Sequence, residues 1–419
     1  MHLIHRKTCR ICGSASLRPV IDLGEQHLQG AFVKPGEDMP PSRRIPCRLL
    51  RCDPTQDENA CGLLQMAHSV PPEILYASYW YRSGTNRTMR EHLGEIVQSV
   101  LGMVRCETGN TLDIGCNDGT LLRAYSERWT RYGVDPSDIA QEIGCEIKVF
   151  QDTFPCGALK RDLCEIRFDI ITSIAMFYDL ENPLDFVREI QSLLAPSGIW
   201  VVEMSYMPSM LQMNSYDTIC HEHLEYYSLS VLEHLFKKCG LKVVRAELNR
   251  INGGSIRCYV AHQSCDEYQN SHWLSNLRNL RREEFDLELD TDKPYSSFQG
   301  RINHHKEELV ALVKELRRDG KRIHVYGAST KGNTILQWCN LDSRLIQCAA
   351  ERNSDKYGAL TLGTDIPIVS EADSRSLNPD YYLVLPWHFK DEFLDREQEM
   401  LGAGVGFIFP LPHIEIVRR

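Results

Sequence analysis

The chain has no long uninterrupted apolar run, and this absence limits what it can be. None of its 419 residues lies in an apolar run near the roughly 18 residues that a membrane-spanning helix needs. The first ten residues, MHLIHRKTCR, lack the apolar stretch of a signal peptide. Basic residues are also outnumbered, since 47 Lys and Arg against 57 Asp and Glu leave a net charge of −10. We therefore expect a cytoplasmic protein that binds no membrane and, through bulk charge, no nucleic acid.

The composition is that of a globular protein, with 42% hydrophobic and 25% charged residues. The length predicts two or three domains, and the hydrophobic spacing divides the chain at 1–75, 76–263 and 264–419. The first part is rich in turns and cysteines. In the second part, strands alternate with helices, and two final strands can close a parallel sheet as an antiparallel hairpin. The third part begins with polar helices and ends in another strand–helix series. This alternation predicts an α/β fold with a doubly wound parallel sheet.

The cysteines of the first part predict a structural metal site. A cytoplasmic chain rarely uses its cysteines, here 16, in disulfides. One C-x-x-C pair is followed by Gly13, and a second group (Cys47, Cys52 and Cys61) comes about forty residues later. Four thiolates in two turns are typical of closed tetrahedral zinc. Free thiols are the alternative, and Cys47 is the rival of Cys52. We favour as ligands Cys9, Cys12, Cys52 and Cys61.

The segment TLDIGCNDGTLL (111–122) predicts a ligand-binding loop. Asp113 ends a strand, Gly115 begins a turn, and Gly119 precedes a predicted helix, DGTLLRAYSERW. Glycines here let backbone amides approach a ligand. The spacing matches neither a dinucleotide fingerprint nor a phosphate loop. A loop–helix junction of some other α/β fold is the alternative.

The pattern D-x-G-x-x-x-G resembles motif I of class I S-adenosylmethionine (SAM) methyltransferases. The resemblance implies SAM as cofactor and a Rossmann-like central domain. Asp135, after the second strand, would then accept the ribose hydroxyls, and QDTF after the third strand would contact adenine. The implied cofactor-binding residues are Asp113, Gly115, Asn117, Asp118, Gly119, Asp135, Asp152 and Phe154.

The segment DTICHEHLEYYS (217–228) holds His221, Glu222 and His223 in succession. A histidine suits proton abstraction near neutral pH, and an adjacent carboxylate can orient or tune it. Three interpretations stand: a metal site, a structural cluster, or a general base beside the SAM pocket. The H-E-H spacing does not match the i, i+4 spacing of a helical zinc motif.

Across its whole length the chain resembles the sugar C-methyltransferases. The segments that carry the resemblance are C-x-x-C at 9–12, the motif at 113–119, DTICHEHLEYYS, NGGSIR, YGASTKGNT and LPWH, which occur in the family's order. The resemblance implies methylation at C-3 of a TDP- or GDP-linked 4-keto-6-deoxy sugar. It also implies a small N-terminal zinc-binding lobe, a central SAM domain, and a C-terminal α/β domain that helps to hold the nucleotide-sugar.

The resemblance assigns His223 as the base, Glu222 as its acidic neighbour, and Tyr178 in place of a family histidine. Cys220 replaces a family tyrosine, so the substrate's exact orientation departs from the family pattern. The implied substrate contacts are Tyr79, Tyr81, Cys220, Arg257, Lys331 and Asn333. Lys331 suits either a phosphate or packing.

Two other functions compete with this one. A SAM-dependent O- or N-methyltransferase of a sugar or small metabolite would need less activation of its acceptor, because a hydroxyl or amine is already a nucleophile. A SAM-binding interaction module is the alternative from a different class. The run HEHLEYY argues against it, because a binding module needs no base.

Overall fold

The computed structural model describes residues 3–36, 44–75, 82–163 and 165–419. Its N-terminal part consists of short strands between cysteine-bearing turns, with β2, β4 and β5 paired antiparallel. The elements are β1 (Ile4–His5), β2 (Leu17–Gln26), β3 (Phe32–Val33), β4 (Ile45–Cys52), β5 (Leu64–Met66), β6 (His68–Ser69) and α1 (Pro72–Leu75).

The central part forms a seven-stranded sheet in the order β13–β14–β11–β10–β7–β8–β9. Its elements are α2 (Arg87–Leu101), β7 (Gly109–Ile114), β8 (Trp129–Val134), β9 (Lys148–Phe150), α3 (Gly157–Asp162), β10 (Phe168–Ile174), α4 (Pro183–Leu193), β11 (Leu194–Ser205), α5 (Met207–Gln212), β12 (Glu225–Tyr226), α6 (Leu229–Lys238), β13 (Leu241–Asn249) and β14 (Ser255–His262). Strands β7 to β11 of this sheet are parallel, whereas β14 is antiparallel to both β11 and β13. The predicted parallel sheet with an antiparallel hairpin is confirmed.

The sequence prediction of a helix over DGTLLRAYSERW is wrong. A short 3₁₀ turn, Leu122–Ala124, stands there, and the chain then extends through Tyr125. Leu121, Leu122 and Tyr125 are all buried. Their burial against the sheet outweighs the modest helix propensity of the segment.

The C-terminal part forms a six-stranded sheet in the order β18–β16–β15–β19–β20–β21, parallel except for β21. Its elements are α7 (Ser271–Asp286), α8 (Lys293–Arg318), β15 (Ile323–Tyr326), α9 (Thr330–Trp338), β16 (Ala349–Glu351), β17 (Leu360–Thr361), β18 (Ile368–Ser370), α10 (Glu371–Ser376), β19 (Tyr381–Val384), α11 (Lys390–Arg396), α12 (Gln398–Gly402), β20 (Gly406–Phe409) and β21 (Glu415–Val417). Within the described ranges, no helix has the length and apolar character needed to cross a bilayer.

The N-terminal part packs against both sheets. Ile21 and Leu23 of β2 share a core with Tyr295 of α8 and the C-terminal sheet. Cys9 and Ile11 belong to the core of the central sheet. Strand β12, which directly follows HEH, pairs with β5, so the N-terminal sheet also holds the loop that carries the proposed base. The three parts therefore meet around that loop.

Candidate active site and metal centre

Cys9, Cys12, Cys52 and Cys61 form one cluster whose sulfur atoms all lie within 4.8 Å of one another. The Cys9 and Cys61 sulfurs are 3.5 Å apart, and those of Cys12 and Cys52 are 3.4 Å apart. Tetrahedral zinc with bonds of about 2.3 Å holds its sulfur ligands roughly 3.8 Å apart. The four thiols therefore fit zinc. Cys47, the rival ligand, is buried elsewhere, where its sulfur lies near the Ile219 carbonyl oxygen.

A cavity of about 290 Å³ opens at the carboxyl ends of the parallel strands β7, β8 and β10. This is where open α/β sheets bind their ligands. Of the predicted cofactor residues, the lining includes Asp113, Gly115, Asn117, Asp135, Asp152 and Phe154. Asp118 and Gly119 are not among its lining residues.

Gly115 lies at the mouth of the loop with φ +78°, and a Cβ there would come within 3.0 Å of the Met176 side chain. Glycine is required on both grounds, conformation and space. Carboxylates, backbone amides and apolar walls such as Phe154 and Ile174 surround the space. This mixture fits the amino-acid, ribose and adenine parts of SAM.

Two buried carboxyl groups, those of Asp113 and Asp135, form hydrogen bonds that hold the walls of the cavity in place. Burial raises the pKa of Asp113 to about 7, while a 2.6 Å hydrogen bond from the Thr172 hydroxyl opposes the rise. Asp135 accepts hydrogen bonds from the Asn117 amide at 2.8 Å and from the backbone and hydroxyl of Ser137. Asp135 therefore fixes the glycine loop as well as lining the cavity.

The side chains of Asn117 and Asp118 accept hydrogen bonds from the neighbouring turn at residues 83–85. The Asn117 side-chain oxygen accepts from the Ser83 amide at 2.9 Å, and the Asp118 carboxylate accepts from the Gly84 amide at 2.7 Å. Ser83 in turn lines the cavity. Asp118 therefore acts on the cavity wall through the 83–85 turn, a contact that the motif spacing did not show.

A second cleft, of about 370 Å³, brings the predicted catalytic residues together. His223, Glu222 and Tyr178 all line it. The Tyr178 and His223 ring centroids are 4.2 Å apart with the planes inclined at 54°. Met89 and Ala175 line both this cleft and the glycine-loop cavity. The base candidate therefore lies in a space that borders the cofactor cavity.

The imidazole of His223 has one nitrogen committed to the backbone. Its Nδ1 lies 2.7 Å from the Thr218 carbonyl oxygen. A carbonyl can only accept, so Nδ1 carries the proton and Nε2 is left as a lone-pair acceptor. Burial lowers the pKa of His223 to about 3, and the Lys331 ammonium contributes to the fall. The ring is therefore neutral at physiological pH.

Glu222 lies against the N-terminal part, where a Cβ on Gly30 would overlap its carboxylate. Burial raises the pKa of Glu222 to about 7, although Thr330 and the Lys356 ammonium oppose the rise. A carboxyl with such a pKa exchanges a proton near neutral pH.

The structure separates the predicted substrate contacts into three groups. Lys331 lines the cleft and donates to the Asn252 carbonyl oxygen at 2.6 Å. Tyr79 and Tyr81 lie outside the described residues. The remaining three are not brought into the cleft, namely Cys220, Arg257 and Asn333.

The packing of the fold places each of these three side chains away from the cleft. Cys220 is fully buried in the core. Asn333 donates to the Gln29 carbonyl oxygen at 2.6 Å and ties α9 to the N-terminal part. Arg257 faces Glu203 on the adjacent strand, with 2.7 Å between Nε and the carboxylate. Strand register and helix facing, which the sequence does not give, decide these positions.

Sequence reasoning missed several cleft residues in the C-terminal part. The cationic and imidazole side chains of the C-terminal part that line the cleft in addition to Lys331 are Arg352, Lys356, His388 and Arg396. His388 lies in LPWH, one of the segments that carry the family resemblance, for which the sequence indicated no role. Burial lowers its pKa well below the ordinary value, and its Nδ1 has no hydrogen-bond partner within the described ranges. Arg352 directly follows β16 and His388 comes four residues after β19, so their places beyond the carboxyl ends of parallel strands were the available signal.

Family models match three successive segments of the chain. A zinc binding domain matches residues 9–76, a methyltransferase domain matches 85–246, and a C-methyltransferase C-terminal domain matches 250–412. The C-methyltransferase NovU of Streptomyces niveus is 27% identical, with 98% of this chain and 96% of NovU aligned. The ubiquinone biosynthesis O-methyltransferase of Actinobacillus pleuropneumoniae serotype 7 is 30% identical, but over 21% of this chain and 42% of its own.

Among solved structures, the CcbJ methyltransferase from Streptomyces caelestis superposes with a TM-score of 0.33 at 13% identity, covering 45% of this chain and 95% of CcbJ. The glycopeptide N-methyltransferase MtfA in complex with SAM gives 0.32 at 9% identity, with 41% and 93% covered.

The fold, the glycine-loop cavity and the family matches define a SAM-dependent methyltransferase. More narrowly, the succession of a zinc binding domain, a methyltransferase domain and a C-methyltransferase C-terminal domain supports a SAM-dependent C-methyltransferase.

Proposed function

We propose that this enzyme methylates C-3, the carbon beside the ketone, of a TDP- or GDP-linked 4-keto-6-deoxy sugar. The product would serve deoxysugar biosynthesis for an antibiotic or a surface polysaccharide. The observation that carries the proposal is the neutral His223 imidazole, whose Nδ1 is fixed on Thr218 in a cleft that borders the cofactor cavity.

His223 is proposed to remove the C-3 proton with Nε2. A C–H beside a ketone is acidic enough for this because the resulting charge is delocalised onto the carbonyl oxygen as an enolate. Since the free imidazole is a weak base here, the ketone oxygen must be stabilised as the proton leaves. Tyr178 stands beside the His223 ring and is our candidate donor, and Tyr81 is the second candidate.

Bound SAM supplies a methyl group on a positively charged sulfur, which the enolate carbon can attack directly. The C–C bond forms as the S–CH₃ bond breaks, and S-adenosylhomocysteine (SAH) is released. The chain's part is to align the two ligands and to exclude water. The metal has no step in this scheme, and we assign zinc to structure.

The C-terminal part is proposed to hold the nucleotide end of the substrate. Its cleft wall carries Lys331, Arg352 and Arg396, whose positive charges suit a diphosphate. Arg396 is paired with Glu397, whereas Arg352 is exposed and forms no ion pair with any carboxylate that the structure describes. We accordingly assign residues 1–75 to zinc, 76–263 to methyl transfer, and 264–419 to the nucleotide-sugar.

Mass spectrometry tests the proposal directly. The enzyme is incubated with SAM and a panel of TDP- and GDP-linked 4-keto-6-deoxy sugars, and one member should gain a single methyl group. Fragmentation should place this methyl on carbon. A methyl found on oxygen or nitrogen would identify the O- or N-methyltransferase alternative instead.

Deuterium exchange measures removal of the C-3 proton separately from transfer of the methyl group. In D₂O without SAM, the wild-type enzyme should exchange hydrogen at C-3 of the accepted sugar. His223→Asn should not. Methyl transfer by a wild-type enzyme that shows no exchange even with SAH bound would contradict enolate formation by His223.

A further inference from the structure

The turn from Cys9 to Cys12, which we call the zinc knuckle, carries Arg10. The side chain of this arginine extends away from the four cysteines toward the loops that hold Tyr178 and His223. Arg10 stands between Cys9 and Cys12, and its side chain has no solvent exposure. Its backbone amide donates to the Gln65 side-chain oxygen at 3.0 Å. Because Cys9 directly precedes Arg10 and Cys12 follows it by two positions, and both belong to the four-cysteine cluster, the position of Arg10 is set where the metal site is formed.

The Arg10 guanidinium connects with two carboxylates. Its Nη2 lies 3.5 Å from Glu181, and its Nε lies 3.4 Å from Glu225. The same Nη2 donates to the Ser69 hydroxyl at 2.7 Å, and that hydroxyl donates to Glu181 at 2.6 Å. A planar guanidinium with five donors can make several such contacts at once, which a point charge cannot.

Each carboxylate belongs to a functional loop. Glu181 lines the cofactor cavity and stands three residues after Tyr178. Glu225 begins β12, two residues after His223. The two loops therefore share one buried cation.

Backbone hydrogen bonds continue from the same guanidinium. Arg10 Nη1 donates to the Met66 carbonyl oxygen at 3.0 Å, and the Met66 amide donates to the Leu224 carbonyl oxygen at 2.8 Å. The Leu224 amide then donates to the Tyr178 carbonyl oxygen at 2.7 Å. A continuous series of hydrogen bonds thus runs from the knuckle to Leu224, the residue after His223, and on to the Tyr178 backbone.

We infer that Arg10 is a positioning residue through which the zinc knuckle fixes the cofactor-cavity wall at Glu181 and the loop that carries His223. In this arrangement the N-terminal domain does more than stabilise the fold, because the metal-bound knuckle sets cofactor affinity. The part that concerns His223 rests on the proposed function, whereas the part that concerns the cofactor cavity does not.

Calorimetric titration with SAH tests the inference without any sugar. We expect Arg10→Met to weaken SAH binding about tenfold, within the usual range of coupling between sites. Arg10→Lys, which keeps the charge, should weaken it about threefold. Zinc content, measured by mass spectrometry, should stay at the wild-type value in both. The matched control is Arg48→Met on the same lobe, whose guanidinium forms an exposed pair with Asp22 and should leave the affinity unchanged.

A double-mutant cycle assigns the effect to Glu181. Glu181→Gln should itself weaken SAH binding, and Arg10→Met with Glu181→Gln should weaken it no further than Arg10→Met alone. Independent, multiplying losses would overturn the inference, as would an Arg10→Met affinity within twofold of wild type. Loss of zinc together with affinity would also overturn it, because Arg10 would then act on the metal site.

If Arg10→Met is insoluble, the SAH affinities of Arg10→Lys and Glu181→Gln test the inference instead. Unchanged SAH affinity in both would contradict the inference. Since SAH binding needs no acceptor, a failure of the sugar assay and a failure of this coupling are separate results.

Discussion

The imidazole of His223 can act as a base because one of its nitrogens is already committed to Thr218. Fixing Nδ1 determines the tautomer and directs the lone pair of Nε2. Burial then keeps the ring neutral, since the pKa is lowered to about 3. Geometry and solvation together suit His223 to the role proposed for it, and neither could be read from the H-E-H pattern alone.

His223→Asn should lower turnover by about a thousandfold, because general-base catalysis contributes factors of 10² to 10⁴. SAH affinity should stay within about twofold of wild type, since His223 lines the second cleft and not the glycine-loop cavity. Methyl transfer and calorimetric titration check the two parts. The control is His304→Asn, on the exposed face of α8. Near-normal turnover in His223→Asn would exclude this residue as the base.

Glu222 should make the stability of the wild type depend on pH. Its pKa is raised from 4.5 to about 7 in the folded chain. The folded state therefore binds more protons than the unfolded state between these values, so the free energy of unfolding falls as pH rises across them. Relative to Glu222→Gln, the wild type should lose about 3 kcal/mol between pH 4.5 and 8. Urea unfolding of both proteins checks this, and parallel pH profiles would contradict it.

At the residue scale the sequence predicted some of the neighbours of the candidate base and missed others. His223, Glu222 and Tyr178 lie together as expected. Arg257 does not join them because the pairing of β14 with β11 sets it opposite Glu203. Its charge is then balanced inside the sheet, and the sequence gives no register between strands so far apart in the chain.

Among the elements, the zinc knuckle is short, yet it joins parts of the chain that are far apart in sequence. Two turns that lie about forty residues apart converge on one four-sulfur cluster, and the strands between them bury apolar side chains such as Ile21 and Leu23 in a core shared with the C-terminal part. Small segments of this kind depend on metal binding for much of their stability.

Cys9→Ser should lower the free energy of unfolding by more than about 2 kcal/mol, because one of four metal ligands is lost. Turnover per folded molecule should change less than stability does. Urea unfolding and zinc analysis measure the effect. Cys145→Ser, at an exposed cysteine outside the cluster, is the control. Freshly purified native protein that contains no zinc would refute the metal assignment.

Strong hydrophobic spacing predicted the elements correctly where a segment packs on one face only. Helix α2 buries Met89, Leu93, Ile96, Val97 and Val100, which recur in the sequence at the three- and four-residue spacing of one helix face. The segment after Gly119 failed because Leu121, Leu122 and Tyr125 are buried in an irregular path. There, tertiary burial replaced the helix that local preference suggested.

The whole molecule assembles the second cleft from all three of its parts. Gly30 comes from the N-terminal part, His223 from the central part, and Arg352 from the C-terminal part. No single part contains the site. The contacts that close it, such as Asn333 to Gln29, join residues about three hundred positions apart.

Arg352→Met should raise the KM for the nucleotide-sugar about tenfold and change kcat little, because a charge-assisted contact to the diphosphate is lost away from the reacting carbon. SAH affinity should not change. Steady-state kinetics with the accepted sugar check the expectation. Arg344→Met serves as the control, since Arg344 is exposed, is paired with Asp342 and does not line the cleft. A fall in kcat at constant KM would place Arg352 elsewhere in the reaction.

The sequence by itself determined the local chemistry: a cysteine knuckle, a glycine loop at the end of a strand, and a histidine beside a carboxylate. These depend on residue types a few positions apart, which backbone geometry places together directly. The tertiary structure alone decided which Cys of the second group joins the cluster, which way Arg10 and Arg257 face, and which cations border the cleft. Those outcomes follow from register and packing between distant segments, and they set the burial and charge that tune each site.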